Sequence, residues 1–137
     1  MKYFFIYLID QDIPKKMLNV SIIDDDKLSR SIFKKYIDQT NFLLFNKEYE
    51  SAVEALDDDT LNEVDLLILD IEMPDLNGLE FLEKIELKPQ VIISSINAAY
   101  AVRAYDFDVT DFLAKPVPYG RFLQGIYRAQ RRFEVAA

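Results

Sequence analysis

The chain has 137 residues, of which 50% are hydrophobic and 13% aromatic, and this composition suits one domain built around one core. It contains no cysteine and no histidine, so disulfides, histidine-dependent nucleophilic sites and the usual transition-metal sites are excluded. A bound metal would therefore need oxygen ligands, and the net charge of −8 argues against direct binding of nucleic acid by this piece.

The N-terminal stretch carries an apolar run at Tyr3–Ile9. This run is too short to cross a bilayer, and it lacks the cleavage site of a secretory signal. We interpret residues 1–17 as a strand-like N-terminal extension that could pair with a sheet edge or with another chain. Met17 is an alternative natural start, which would make the upstream residues incidental. The domain itself is predicted to span residues 18–137.

From Leu18 onward, five short apolar runs alternate with segments that have helical spacing or helix caps. The predicted strands are Leu18–Ile23, Phe42–Phe45, Leu66–Leu69, Val91–Ser94 and Asp111–Ala114. The predicted helices are Lys27–Asp38, one capped by Ser51, one from Leu79, Ala98–Tyr105 and Tyr119–Phe133. Five strand–helix alternations predict an α/β fold with a five-stranded parallel sheet and helices on both faces.

Two helices carry patterns that predict which side faces the sheet. Spacing in the first helix places five side chains on one apolar face: Leu28, Ile32, Phe33, Tyr36 and Ile37. Asp26, just before this helix, is predicted to be its N-cap. The last helix carries four arginines that are predicted to form a solvated face or a partner surface: Arg121, Arg128, Arg131 and Arg132.

Reactive side chains follow four of the predicted strands. They are Asp24, Asp25 and Asp26 after the first strand, Asp70 after the third, Ser94 and Ser95 at the fourth, and Lys115 after the fifth. In a doubly wound sheet of order 2-1-3-4-5, these strand ends surround one crevice. Clustered carboxylates repel one another, so they hold protons or bind a cation, and Mg²⁺ is the expected one. Asp70 would then be a nucleophile for a phosphoryl group, with Lys115 and Ser95 contacting the phosphate.

Each of these residues has an ordinary explanation on its own. Asp24 and Asp25 could be turn residues, Ser95 a buried serine and Lys115 a solvated lysine before proline. Taken together, however, four separate strand ends would have to supply complementary chemistry by chance. The combination therefore favours a functional site.

The motifs IIDDD, LLILDIEMPDLNG, VIISS and DFLAKP, in this order, resemble those of bacterial response-regulator receiver domains. The resemblance runs from Leu18 to about Phe133, and the segment SINAAYAVRAYDFDVTDFLAKPV more narrowly resembles receivers of the LytR/AlgR type. It implies the flavodoxin-like, CheY-like receiver fold with Asp70 as phosphoacceptor. It also implies that magnesium is held by four residues, one of them through its backbone carbonyl: Asp24, Asp25, Asp70 and Glu72.

The same resemblance implies roles for the other strand ends. Ser95 would be the switch hydroxyl, Phe112 the aromatic side chain that repacks with it, and Lys115 the phosphate-balancing lysine before a cis Lys115–Pro116 bond. Without the resemblance, Phe112 is simply a core residue. Ile96 departs from the family pattern, which has a small residue there, and we hypothesise that it narrows access to the acyl phosphate.

The implied function is phosphoryl acceptance on Asp70 from a histidine kinase or a histidine phosphotransfer protein in the cytoplasm. Phosphorylation would switch an interaction surface in two-component signal transduction, with the receiver part of a LytR/AlgR-type transcriptional regulator as one context. A homodimer could form through the fourth helix, fifth strand and fifth helix, or through the extension. No membrane contact is expected, and no enzyme activity beyond self-phosphotransfer and autodephosphorylation.

Two alternatives stay open from the sequence. One is a magnesium-dependent aspartyl-phosphate phosphatase of the haloacid-dehalogenase type, in which Glu72 would be the second acid. The other is a degenerate receiver that acts as a constitutive interaction module. The intact Asp70, acid pair and Lys115 argue against the second.

Overall fold

A computed structural model describes residues 16–136. Residues 1–15 of the predicted N-terminal extension therefore lie outside the described residues. One sheet forms the centre of the domain, and its five strands are β1 (Leu18–Ile23), β2 (Leu43–Tyr49), β3 (Leu66–Asp70), β4 (Gln90–Ser95) and β5 (Asp111–Ala114). All neighbouring strands are parallel, and their order is β2-β1-β3-β4-β5. The predicted fold class and strand order are confirmed.

The connections between strands contain the helices α1 (Lys27–Asp38), α2 (Ala52–Leu56), α3 (Gly78–Lys84), α4 (Ala101–Ala104) and α5 (Tyr119–Ala136). α4 is only four residues long, and a 3₁₀ turn lies on each side of it, at Ala98–Tyr100 and Tyr105–Phe107. The helix predicted over residues 98–105 is therefore a mixed α and 3₁₀ segment, which begins at the Asn97 cap.

Side chains of the loop residues fix where several helices begin. Asp26 accepts hydrogen bonds from the backbone N–H groups of Leu28 and Ser29, which confirms it as the N-cap of α1. Asn77 and Glu80 form a complete capping box at the start of α3. Because these caps satisfy backbone donors that have no partner inside the helix, each helix begins directly after a strand-end loop.

The sheet is buried on both faces because successive strand residues point to opposite sides. Leu69 and Ile93 pack with Phe81 of α3 on one face. On the other face, residues of β1, β3 and β5 pack with side chains of α1 and α5, among them Ile22, Ile68, Leu113, Phe33 and Phe122. The uninterrupted apolar run of β3 follows from this double burial.

The predicted apolar face of α1 is wrong for two of its five members. Leu28 is 67% exposed and Ile32 is 40% exposed, whereas Phe33 and Ile37 are buried. The buried side of α1 also contains Arg30, which donates to the carbonyl oxygen of Asp24 at 2.8 Å and reaches Glu48. Arg30 thus lies where spacing alone would place only apolar side chains, and Leu28 and Ile32 face outward.

Strand β2 continues four residues beyond the predicted end at Phe45. It lies at an edge of the sheet, and its backbone still pairs with β1 at Glu48 and Tyr49 after a shift of register. An edge strand can carry polar side chains because one side of it is open to solvent. Apolar patterning therefore underestimated its length.

Candidate functional site

The carboxyl ends of β1, β3 and β5 bring three charged side chains into contact. The Lys115 ammonium lies 3.0 Å from Asp24 Oδ2 and 3.1 Å from Asp70 Oδ1. Only 1% of the Asp24 side chain and 2% of the Asp70 side chain are exposed. The structure thus brings together residues that are 91 and 45 positions apart in the sequence.

The position of Asp70 is fixed by the loop that follows β3. The N–H of Gly78 donates to the Ile71 carbonyl at 3.0 Å, which folds the start of α3 back onto the strand end. A Cβ atom at Gly78 would lie 2.4 Å from the carbonyl oxygen of Asp70. Only glycine allows this close approach of backbone to backbone. Asp75 completes the loop with φ 69°, a left-handed conformation that aspartate tolerates better than most residues.

Asp24 is fixed by contacts within its own loop. Its Oδ1 atom accepts a hydrogen bond from the Asp26 N–H at 2.9 Å, and its carbonyl oxygen accepts one from Arg30 at 2.8 Å. The neighbouring Asp25 is exposed. Asp24 is therefore held in place by hydrogen bonds, whereas the adjacent Asp25 is open to solvent.

Burial and charge both act on the ionisation of this pocket. Burial, together with the nearby Asp24 carboxylate, raises the pKa of Asp70 to about 7, although Lys115 opposes the shift. Burial alone would lower the pKa of Lys115, but the carboxylates of Asp70 and Asp24 hold that pKa above its usual value. The Lys115 ammonium is thus the positive partner of two buried carboxylates, Asp24 and Asp70, and the pocket has more negative than positive groups.

The donor atoms fit a hard divalent cation. One carboxylate oxygen from each of Asp24, Asp25 and Asp70 lies within 4.8 Å of the other two. All three donors are oxygens, which Mg²⁺ prefers over nitrogen and sulfur. The remaining negative charge would favour such an ion. The roles predicted for these three residues, and for the backbone carbonyl of Glu72, stay predictions.

Ser95 lies at the end of β4 and is fully buried, but its hydroxyl bonds to a different partner from the one that its predicted role requires. The hydroxyl donates to the Glu72 carboxylate and accepts from the Asn97 N–H at 2.9 Å. The Ile96 N–H donates to the other oxygen of Glu72 at 3.1 Å. Within residues 16–136, no hydrogen bond joins the Ser95 hydroxyl to Asp70 or Lys115, although the Lys115 N–H donates to the Ser95 carbonyl at 2.8 Å.

The remaining predicted residues lie around this pocket. Phe112 is half-buried and packs against the core cluster on the α3 face of the sheet. Ile96 is 73% exposed, directly after Ser95. The Lys115–Pro116 peptide bond is cis, as the resemblance implied.

The sequence matches the response regulator receiver domain family over residues 20–127. This chain belongs to that family. Within the receiver described here, residues 16–136, the structure contains no helix with the length and hydropathy of a membrane span.

Curated relatives of this receiver are response regulators of the LytR type. The chain is 28% identical over 124 residues to the sensory transduction protein LytT of Bacillus anthracis, covering 87% of this chain and 50% of the relative. It is 28% identical over 112 residues to the transcriptional regulatory protein LytR of Staphylococcus aureus, covering 80% of this chain and 46% of the relative. The chain thus spans about half the length of these relatives, and the predicted LytR-type resemblance is confirmed.

Solved structures support the receiver fold. The response regulator domain of Thermotoga maritima CheB superposes with a TM-score of 0.75 at 25% identity, covering 85% of this chain and 98% of that one. The response regulatory domain of mrkE from Klebsiella pneumoniae gives a TM-score of 0.76 at 21% identity, with the same coverage of both chains. The flavodoxin-like topology follows from these matches, whereas membership in two-component signalling follows from the receiver family match and the LytT and LytR relatives.

The arginines of the last helix only partly form the predicted solvated face. Arg121 and Arg128 each contact the Asp111 carboxylate at 2.7 Å, although 50% of the Arg128 side chain is still exposed. Arg132 bonds to Asp108 and Thr110, whereas Arg131 is exposed. Asp111 is a buried carboxylate at the start of β5, and a buried charge needs a partner.

Two contacts of this receiver were missed by sequence reasoning. The Asp111–arginine cluster could have been suspected from an acidic residue at the start of an otherwise buried strand. The Glu72–Ser95 contact left a weaker signal, namely an acid two residues after Asp70 in a loop next to the β4 end. The sequence analysis assigned Glu72 only a backbone role.

Proposed function

We propose that this receiver domain accepts a phosphoryl group on Asp70 from a phosphohistidine of a histidine kinase or phosphotransfer protein. A carboxylate oxygen of Asp70 would attack phosphorus, so that a P–O bond forms while the P–N bond to the donor imidazole breaks and the imidazole nitrogen leaves. The observation that carries this proposal is the convergence of Asp70, Asp24 and Lys115, with an ammonium 3.1 Å from the Asp70 carboxylate.

Residues of the pocket would stabilise the charge that the reaction brings in. The Lys115 ammonium, now held between Asp24 and Asp70, can balance the oxygens of the phosphoryl group. Magnesium, held by Asp24, Asp25, Asp70 and the backbone carbonyl of Glu72, would neutralise further phosphoryl charge when bound. Lys115 is anchored on both buried carboxylates, so it needs little rearrangement for this role.

The entrance to the pocket supports a protein as the phosphoryl donor. Three exposed apolar side chains lie near it: Leu28 and Ile32 of α1, and Ile96 after β4. Leu28, Ile32 and Ile96 line one groove that also includes Lys115. Exposed apolar side chains that share a groove are typical of surfaces that contact another protein.

Phosphorylation would act as a switch through the residues that follow β4 and β5. The added charge would attract the Ser95 hydroxyl, Phe112 would repack, and the surface formed by α4, β5 and α5 would change its preference among partners. The shift can be no larger than the difference in affinity of the two conformations for the phosphoryl group. Homodimerisation through that surface or the N-terminal extension, a cytoplasmic location and membership in a LytR/AlgR-type transcriptional regulator belong to the same proposal.

The decisive experiment is labelling with acetyl phosphate followed by intact-protein mass spectrometry. We expect one phosphoryl group per chain, dependent on magnesium and absent from Asp70→Ala, while the exposed-residue control Asp38→Ala labels like the parent. Stoichiometric labelling that persists in Asp70→Ala would contradict the assignment. Turnover of p-nitrophenyl phosphate would favour the phosphatase, and failure to bind magnesium would favour the constitutive interaction module.

A further inference from the structure

The carboxylate of Glu72 connects two loops that border the pocket. One oxygen accepts the Ser95 hydroxyl, and the other accepts the Ile96 N–H at 3.1 Å. Glu72 belongs to the loop after β3, whereas Ser95 and Ile96 end β4 and begin the loop that leads to α4. Both carboxylate oxygens are thus used by two consecutive residues of the other loop.

This contact competes with the role that the proposed function gives to Ser95. A serine hydroxyl has a single proton to donate, and the nearer of its two acceptors here is the Glu72 carboxylate, while the Asn97 carbonyl lies farther away at 3.1 Å. A phosphoryl oxygen on Asp70 could receive that proton only after Ser95 has left the carboxylate. Hydrogen bonds to a charged acceptor are stronger than those between neutral groups, so leaving Glu72 has a measurable cost.

We propose that Glu72 is a latch that holds Ser95 and the loop after β4 in the resting conformation until Asp70 is phosphorylated. This inference rests on the proposed function. A phosphoryl group on Asp70 offers Ser95 a competing acceptor, and its negative charge repels the Glu72 carboxylate. Glu72 is thus a positioning residue whose contacts exist only in the unphosphorylated domain.

Release of the latch would affect more than one side chain, because Ile96 is held through its backbone. The next residue, Asn97, donates to the Ser95 hydroxyl and caps the 3₁₀ turn before α4 through the Ala99 N–H. The Glu72 carboxylate is therefore linked to the start of the α4 segment through three consecutive residues. Loss of the two Glu72 bonds would free this segment to move.

A latch lowers the apparent affinity for any ligand that needs Ser95, because only the unlatched fraction of molecules is competent. Beryllofluoride, which imitates a phosphoryl group on a carboxylate, is a suitable probe at saturating magnesium. We expect Glu72→Ala to lower the half-saturating concentration about threefold to tenfold, as for loss of a typical intramolecular hydrogen bond. Glu72→Gln, which keeps the shape but loses the charge, should fall between Glu72→Ala and the parent.

Asp75→Asn is the matched control, because it removes one negative charge from an exposed position of the same loop. It should leave the half-saturating concentration unchanged. In a Ser95→Ala background, the gain from Glu72→Ala should shrink, because the competing hydroxyl is gone. The Ile96 amide resonance should move in the same direction in Glu72→Ala alone as it does in the parent when beryllofluoride binds.

The outcomes separate the latch from the proposed function. A parent that binds no beryllofluoride contradicts both, whereas a parent that binds it through Asp70 supports the function and makes the variants informative. The latch alone is wrong if Glu72→Ala binds no more tightly than the parent, if Asp75→Asn gains as much, or if the full gain persists without the Ser95 hydroxyl.

Discussion

Strand β5 has a buried ionic cluster at each end, and the two clusters are built in opposite ways. At the carboxyl end, two buried carboxylates, Asp24 and Asp70, share the ammonium of Lys115. At the amino end, one buried carboxylate, Asp111, accepts hydrogen bonds from two arginines, Arg121 and Arg128. The first cluster has too few cations and the second has an excess.

This difference in charge indicates that the Asp111 cluster stabilises the fold, whereas the Asp70 cluster can accept a ligand. Asp111 also receives the Phe112 N–H at 2.8 Å, and Gly125 leaves the space that lets α5 approach, since a Cβ there would lie 3.1 Å from Asp111 Oδ2. The Asp111 carboxylate thus already accepts most of the hydrogen bonds that it can accept, and all of these donors belong to the protein. The pocket at Asp70 retains charge that an incoming cation can neutralise, and burial raises the pKa of Asp70 to about 7.

Removing the carboxylate at the amino end of β5 should give the largest effect. Asp111→Ala leaves Arg121 and Arg128 without the carboxylate that they contact. Because both arginines are partly exposed to water, we expect the free energy of unfolding to fall by about 2–3 kcal/mol, as for lost hydrogen bonds to a charged group. Urea denaturation followed by circular dichroism measures it, with the exposed Asp106→Ala as control. A loss no larger than that of the control would show that this cluster does not stabilise the fold.

At the other end of β5, removing the charge of Asp70 should raise the free energy of unfolding instead of lowering it. Because its pKa in the folded protein lies near 7, Asp70 keeps its proton there between about pH 4 and pH 7, where the unfolded chain releases it. The parent's free energy of unfolding therefore falls as pH rises through that range. The free energy of unfolding of metal-free Asp70→Asn should not fall in this way, because asparagine has no proton to release in this pH range.

We accordingly expect metal-free Asp70→Asn to be more stable than the parent by about 2 kcal/mol at pH 8, after allowing for the lost contact to Lys115. The advantage should shrink as pH falls towards 4. Urea titrations in EDTA at several pH values measure both quantities. An advantage that does not change with pH would contradict the raised pKa of Asp70.

Magnesium affinity should sharpen the contrast, since carboxylate ligands must lose their protons to bind a metal. With the pKa of Asp70 near 7, raising the pH from 6 to 8 should tighten magnesium binding by about tenfold. Isothermal titration calorimetry measures the dissociation constant at each pH. Asp111→Asn, at the other end of the strand, should retain the same pH dependence, and a flat profile in the parent would argue against the prediction.

The smallest effect is expected at the entrance to the pocket. Ile96 is 73% exposed beside Ser95, and Ile96→Ala should label with acetyl phosphate severalfold faster, because the side chain no longer narrows access. The control is Val102→Ala in α4, which shortens another exposed apolar side chain. Labelling of Ile96→Ala at the parent's rate would refute the hypothesis.

The sequence was sufficient for the features that depend on local pattern and on parallel topology. The apolar run of β3 predicts a strand buried on both faces, and the side chains at strand ends must then meet at one edge of the sheet. This is why the convergence of Asp24, Asp70 and Lys115 could be predicted.

Features that depend on long-range polar partners were not predicted, because spacing along one helix does not show which other element supplies the partner. Arg30 takes an inward position on α1 because Glu48, 18 residues away, accepts its guanidinium. Arg121 and Arg128 turn towards β5 because Asp111 is buried there. In each case, helical spacing describes the helix alone, whereas the orientation of the side chain depends on a partner in another element.

The tight packing of Gly78 against Asp70 has a practical consequence for measuring motion. Because the first turn of α3 packs directly against the carbonyl of Asp70, we expect this short helix to keep a constant position relative to the end of β3. The chain has no native cysteine, so Glu83→Cys on the exposed side of α3 would attach a fluorophore or spin label at one chosen position. A second label in the loop after β4 would then report displacement of that loop relative to the aspartate itself.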